Sequence, residues 1–154
     1  MKHPTIQWII ILVACIALAL IQSTDFVNVF GVKPDLLLVG LIVAIAFVPT
    51  FIHYCALVIL GVLSLRFSLT FGKEFPIVGV IALVAFFISE RLPGKAWINM
   101  ILLIVIGTVA WYFLVDSSFI PEHPGIVFQE IAYNSIVGMA LFWIAKRYFA
   151  AAPV

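Results

Sequence analysis

Long apolar runs, separated by proline, glycine and a few charges, set the pattern of this chain. Six stretches carry almost no formal charge: Ile6–Ile21, Leu36–Val48, Phe51–Leu65, Pro76–Ile88, Trp97–Val115 and Ile126–Ala145. A bilayer core is crossed by about 20 apolar residues, with a working range of roughly 17–25. Each stretch therefore predicts a membrane helix, the shorter ones completed by interfacial residues. Gly31, Pro34, Pro76, Pro93–Gly94 and Pro121 to Gly125 punctuate the gaps. The longest polar gap, Asp116 to Gly125, reads as a loop. No internal repeat or low-complexity segment interrupts the series. The expected fold is an all-α polytopic transmembrane helix bundle, with residues 1–154 as a single integral membrane domain.

One boundary decides between six spans and five. No formal charge separates Leu36 from Leu65. As one helix this segment reaches about 45 Å at roughly 1.5 Å per residue, against a hydrocarbon core near 30 Å. Pro49 lies in its middle, followed by Thr50 and, nearby, His53. Proline lacks the backbone donor and clashes with the preceding turn, so a tight hairpin and six spans are expected, with five spans as the alternative. Lys and Arg concentrate on the cytoplasmic side of membrane proteins. With six spans that side holds Lys2, Arg91, Lys95, Lys146 and Arg147, and the outer side Lys33, Arg66 and Lys73. With five spans Lys2 and Lys33 exchange sides. Either way the C-terminus is cytoplasmic.

Composition agrees with this pattern. The chain is 66% hydrophobic and 10% charged, with a mean hydropathy of +1.29, whereas soluble domains are roughly 25% charged. A net charge of +1 and a lone Lys146–Arg147 pair offer nucleic acid no basic surface. Cys15 and Cys55 sit in apolar runs without zinc or CxxC spacing, as small apolar side chains do. Lys2, the following apolar run and Ala17-Leu18-Ala19 imitate a signal peptide. Membrane-like sequence continues downstream, so an uncleaved first span is expected.

The polar residues within or beside the spans are the candidates for function. Lys33-Pro34-Asp35 reads as a helix entrance at the membrane surface, with proline at the first helical position and an acid facing the positive helix end. Glu130, Asn134 and Gly138 follow at i, i+4 and i+8 on one helix face, with Tyr133 beside them. Polar groups inside a membrane face the bundle or a cavity, and Asn134 is suited to an interhelical hydrogen bond of about 1 kcal/mol. Glu130, near the outer end of its span, also suits an interfacial position. Trp8, Trp97, Trp111, Trp143, Tyr112 and Tyr148 fall towards span ends, as belt anchors do. His3, His53 and His123 are dispersed, and the chain has no HExxH, GxSxG or Walker motif. No catalytic, metal or cofactor site is expected; Asp35, Glu130 and Asn134 are candidates for shaping the bundle or binding a partner.

Three stretches together carry a resemblance: "ALALIQ" (Ala17 to Gln22), "FGVKPDLLLVGLIVAIA" and the last span "EIAYNSIVGMALFWIAKRYF". In this arrangement the chain resembles the MreD family, the small multi-pass rod shape-determining proteins of bacteria. The specific part is Gln22, Pro34, Asp35 and the segment from Asn134 to Gly138. Where that family usually has a glycine, an acid and a Gly-rich turn, this chain has Gly61, then Leu65–Arg66, with Gly72, Glu74 and Gly79 following. The resemblance implies a non-enzymatic scaffold of the cell-elongation machinery in the bacterial cytoplasmic membrane. It further implies MreC as partner, with the RodA glycosyltransferase, its partner transpeptidase and the MreB filament as further associates. MreD-like proteins also look similar in size and span number to the substrate-binding membrane subunits of energy-coupling-factor vitamin transporters. On that alternative the outer loops and the Glu130, Tyr133 and Asn134 face form a small-ligand pocket. Ala14, Ala17 and Ala19 lack the alanine-x-x-x-alanine spacing by which such subunits meet their transport partner.

Overall fold

The computed structural model describes residues 4–24, 32–65 and 74–149. Lys2, His3, Gly31, Arg66, Gly72 and Lys73 lie outside the described residues. The described residues form seven helices: α1 (Pro4–Gln22), α2 (Leu36–Ile45), α3 (Phe51–Ser64), α4 (Glu74–Ser89), α5 (Ala96–Val115), α6 (Phe119–Glu122) and α7 (Pro124–Phe149). Six follow the six predicted stretches. The seventh, α6, is a single turn inside the segment expected to be a loop. Three helices are long and apolar enough to cross a membrane: α1 from Thr5, α5 and α7. The others are apolar but shorter.

The shortest of the six, α2, is the centre of the bundle. Nine of its ten residues, Leu36 to Ala44, are buried, and it packs against α1, α3, α4, α5 and α7. A helix that is apolar all round must be enclosed on every side by other apolar surface, and LLLVGLIVAI is such a sequence. At about 1.5 Å per residue α2 is roughly 15 Å long, about half the length of α1 and α5 and shorter than each of the other helices it packs against.

Proline ends α2 where the sequence predicted a break. The N–H groups of Ala46, Phe47 and Val48 close the helix onto the carbonyls of Val43 and Ala44. Thr50 then adopts extended backbone and caps α3, its Oγ1 accepting from the His53 N–H at 3.4 Å and lying 2.6 Å from His53 Nδ1. The uninterrupted Leu36–Leu65 helix does not form. The turn between α4 and α5 uses Gly94 at φ +134°, a conformation L side chains rarely adopt. Asn99 donates to the Leu92 carbonyl across that turn at 3.0 Å.

Contacts fix the helix directions. Gln22 meets Leu37 and Gln7 donates to the Phe47 carbonyl at 3.1 Å, so α1 runs antiparallel to α2. Asp35 meets Asn134, and the Phe47 ring packs on Phe142 and Phe149, so α2 runs parallel to α7. Tyr112 meets Glu130 and Thr108 meets Asn134, so α5 and α7 are antiparallel. One end of the bundle therefore gathers the α2–α3 turn, the α4–α5 turn and the C-terminus of α7. The other end carries α6.

Close approach depends on glycine where helices cross. A Cβ at Gly138 of α7 would collide with Ile104 of α5, and at Gly40 of α2 it would lie 2.8 Å from Leu18 of α1. Small residues at such crossings let packing replace the hydrophobic drive that a bilayer does not provide between helices. The outward surface is apolar: Ile52 of α3 and Phe128 and Ile136 of α7 are each at least 70% exposed.

Candidate functional site

A helix leaves its first N–H groups without intrahelical partners, and α2 begins inside the bundle, where water cannot serve them. Side chains from three helices take that place. The Asp35 N–H donates to Asn134 Oδ1 at 3.1 Å, and the Leu37 N–H to Gln22 Oε1 at 2.7 Å. The Leu38 N–H donates to Asp35 Oδ1 at 3.0 Å, and the Leu36 N–H to the Pro34 carbonyl at 3.0 Å. Regular helical bonding begins with the Val39 N–H on the Asp35 carbonyl. The last residue of α1, the N-cap of α2 and the middle of α7 thus meet at one buried helix end.

Two further contacts tie α7 to α5. Asn134 Nδ2 donates to Thr108 Oγ1 at 3.0 Å, so both ends of its amide are engaged. One turn away, the Tyr112 hydroxyl donates to the Glu130 carboxylate. Thr108 and Tyr112 are four residues apart on α5, as Glu130 and Asn134 are on α7, and residues at that spacing share a helix face. The two pairs form successive rungs between the antiparallel helices. Asn134 lies 10 residues after Pro124 at the start of α7, about 15 Å along the axis at roughly 1.5 Å per residue. The whole layer is dry: Asp35, Thr108, Tyr112, Glu130 and Asn134 are at most 8% exposed.

The structure brings together all three residues singled out in the sequence, on an arrangement the sequence did not disclose. Asp35 is the N-cap of α2, one residue before the helix, and Pro34 precedes it. Its location differs from the expected surface entrance: it is buried against α7, because the helix it caps starts in the interior. Glu130 is buried, facing α5 through its bond to Tyr112. Glu130, Asn134 and Gly138 do lie on one face, which Val127 and Phe142 extend. Tyr133 is half-buried beside that face.

Although GTVAWY places two hydroxyl groups at i and i+4 in an otherwise apolar run, sequence reasoning passed over Thr108 and took Tyr112 for a belt anchor, whereas Tyr112 is buried against Glu130. It also missed Tyr54 of α3, fully buried, whose hydroxyl lies 3.2 Å from the carbonyls of both Leu41 and Ala82 and so links α2, α3 and α4. Among the described residues no buried side-chain nitrogen or oxygen lacks a partner, and no cluster of three or more His, Cys, Asp and Glu side chains forms a metal-binding group. A groove of about 370 Å³ lies between α1 and α7 over α2, and its lining is apolar, from Ile10 and Cys15 to Gly40 and Tyr148. None of the six polar residues of the buried layer lines it.

Compared with family models, curated proteins and solved structures, the chain matches none. Function therefore has to be argued from the bundle itself. The layer spends its donors and acceptors on holding four helices in register around an internal helix end. A buried polar network with every member satisfied rigidifies and specifies one packing.

Proposed function

We propose that this chain is a non-enzymatic membrane scaffold, of the kind implied by its resemblance to MreD. On this reading it resides in the bacterial cytoplasmic membrane and serves the cell-elongation machinery that maintains rod shape. Its partners are MreC and, with it, RodA, the partner transpeptidase and MreB. The observation that carries the reading is the use made of the polar residues. Gln22, Asp35, Thr108 and Asn134 are committed to joining α1, α2, α5 and α7, and the outward faces are left apolar, as surfaces that meet lipid or another membrane helix require.

The same reading gives six passes, with α2 as a short internal one that continues through its turn to Val48. Arg91, Lys95, Lys146 and Arg147 are exposed at the end that holds the α2–α3 and α4–α5 turns. Positive charge accumulates on the cytoplasmic side, which supports a cytoplasmic C-terminus and, with it, an outer position for α6.

Mild-detergent co-purification from the native cells, with mass spectrometry of what accompanies the chain, tests the proposal. Recovery of MreC and the elongation synthase is expected. Recovery of paired ATPases with a coupling subunit would overturn it in favour of a transporter component. Recovery of none of these would remove the elongation role.

A further inference from the structure

Five polar side chains of the buried layer are accounted for by the cap and the Asn134–Thr108 bridge, or by donating to a neighbour. Glu130 differs in that its carboxylate caps no helix: it accepts from the Tyr112 hydroxyl and also meets the Asn134 side chain. A carboxyl group enclosed in an apolar bundle is costly and is a functional candidate by default. Among the described residues, α6 lies between the Tyr112–Glu130 pair and the end of the bundle.

Phe119, the first residue of α6, stacks on the Tyr112 ring with centroids 5.2 Å apart and planes 9° from parallel. The His123 ring follows at 4.8 Å from Phe119. Tyr112 is 7% exposed beneath this stack. Among the described residues α6 is held shallowly. It has four residues, none buried, and its N-cap Ser118 makes no side-chain cap bond. It packs on α5 and α7, the two helices it joins, and the entry to it is fixed locally by Asp116 Oδ1 accepting from the Ser118 N–H and Oγ. Segments with few buried apolar contacts open at low free energy, far below global unfolding.

We infer that α6 is an aromatic stopper: Phe119 keeps water off the Tyr112–Glu130 pair, and lifting of α6 opens an aqueous path from that end of the bundle to the buried carboxyl group. Exchange of protons or water at Glu130 then requires the stopper to move, while the cap of α2 one turn deeper stays closed. The inference holds whichever partners the bundle meets.

Hydroxyl-radical footprinting of the chain in lipid nanodiscs, resolved by mass spectrometry, reads water access at single tyrosines. Tyr112 is slow to oxidise in the native chain. In Phe119→Ala its rate rises roughly two- to tenfold, the ratio that loss of one aromatic pair corresponds to, while Tyr54 stays silent. Phe119→Leu, which keeps apolar bulk without a stacking ring, gives a smaller rise. Equal Tyr112 rates in all three proteins refute the stopper, as does oxidation of native Tyr112 at the Phe119→Ala rate. Should Tyr54 become reactive in Phe119→Ala, the variant has loosened as a whole and Phe119→Leu decides. There, a rise at Tyr112 with Tyr54 silent supports the stopper, and no rise overturns it.

Discussion

The two ends of α2 solve the same problem by opposite means. At its C-terminal end the chain turns near the edge of the bundle, and residues within a few positions of one another serve the freed N–H groups, Ala46, Phe47 and Val48 bonding back to Val43 and Ala44 and His53 to Thr50, while Gln7 and Trp8 of α1 reach only carbonyls, those of Phe47 and His53. At its N-terminal end only Asp35 and Pro34 are local. Gln22 comes from 15 residues away and Asn134 from 99. The difference follows from burial. A helix end near water has a universal partner at hand, so local chemistry needs only to shape the turn. A helix end enclosed by other helices has no such partner, and each N–H must be given an oxygen by a neighbour.

The contrast makes unequal predictions for the two ends. Asn134→Leu is expected to cost most. It removes the acceptor of the Asp35 N–H and the donor to Thr108, and both groups remain buried. Leaving a buried polar group unpaired costs about 1–3 kcal/mol, so a loss of roughly 2–4 kcal/mol is expected for the two together. Denaturant titration of the purified protein in mild detergent measures it. A loss no larger than that of a change at the Thr50 end would break the comparison. Gln22→Leu orphans the Leu37 N–H and removes a contact to the Asp35 side chain; Gln22 is only part-buried, and the change should cost about 1–2 kcal/mol in the same titration. The two residues share one helix end, so the double variant is expected to lose a different amount from the sum, because groups in one network couple. Strict additivity would mean the two caps act independently.

These long-range bonds are also where the sequence ceased to be legible. The helix positions could be read because each depends on its own segment: apolar runs of spanning length, Pro49 as a breaker, charge at the ends. The face of α7 could be read because Glu130, Asn134 and Gly138 repeat at helical spacing. What each residue meets could not. Nothing in the spacing of Asn134 indicates that its oxygen serves the Asp35 N–H, since that pairing depends on α2 lying parallel to α7 and starting about 15 Å along it. The helix entrance expected at Lys33-Pro34-Asp35 was read from local chemistry alone, which carries no sign of its burial. Helix entrances usually lie near water, and only the tertiary arrangement shows that this one does not. Thr108 and Tyr112 were legible in principle, as a polar pair at i and i+4, but look like incidental residues until their partners on α7 are known.

At the other end of α2, Thr50→Ala should cost only about 0.5 kcal/mol, the low end for loss of an N-cap, because Thr50 is exposed and water can replace its oxygen. Unfolding of this variant beside Gln22→Leu gives the most direct comparison of an exposed cap with a buried one. A larger loss for Thr50→Ala than for Gln22→Leu would mean that burial is not what separates the two ends.

The smallest effect is the one that separates acceptor from charge. If Asp35 matters as the oxygen that receives the Leu38 N–H, asparagine supplies the same oxygen on a side chain of the same length. Asn and Asp are nearly equal as N-caps, and loss of the cap to alanine costs about 0.5–2 kcal/mol. Asp35→Asn is therefore expected to stay within about 0.5 kcal/mol of the native chain, with Asp35→Ala falling by about 1–2 kcal/mol. The Asn134 contact should survive in both, since it is made to the backbone N–H of residue 35 and not to its side chain. If Asp35→Asn instead fell as far as Asp35→Ala, the carboxyl group itself would be required, and the buried helix end would depend on a charge as well as on a set of oxygens.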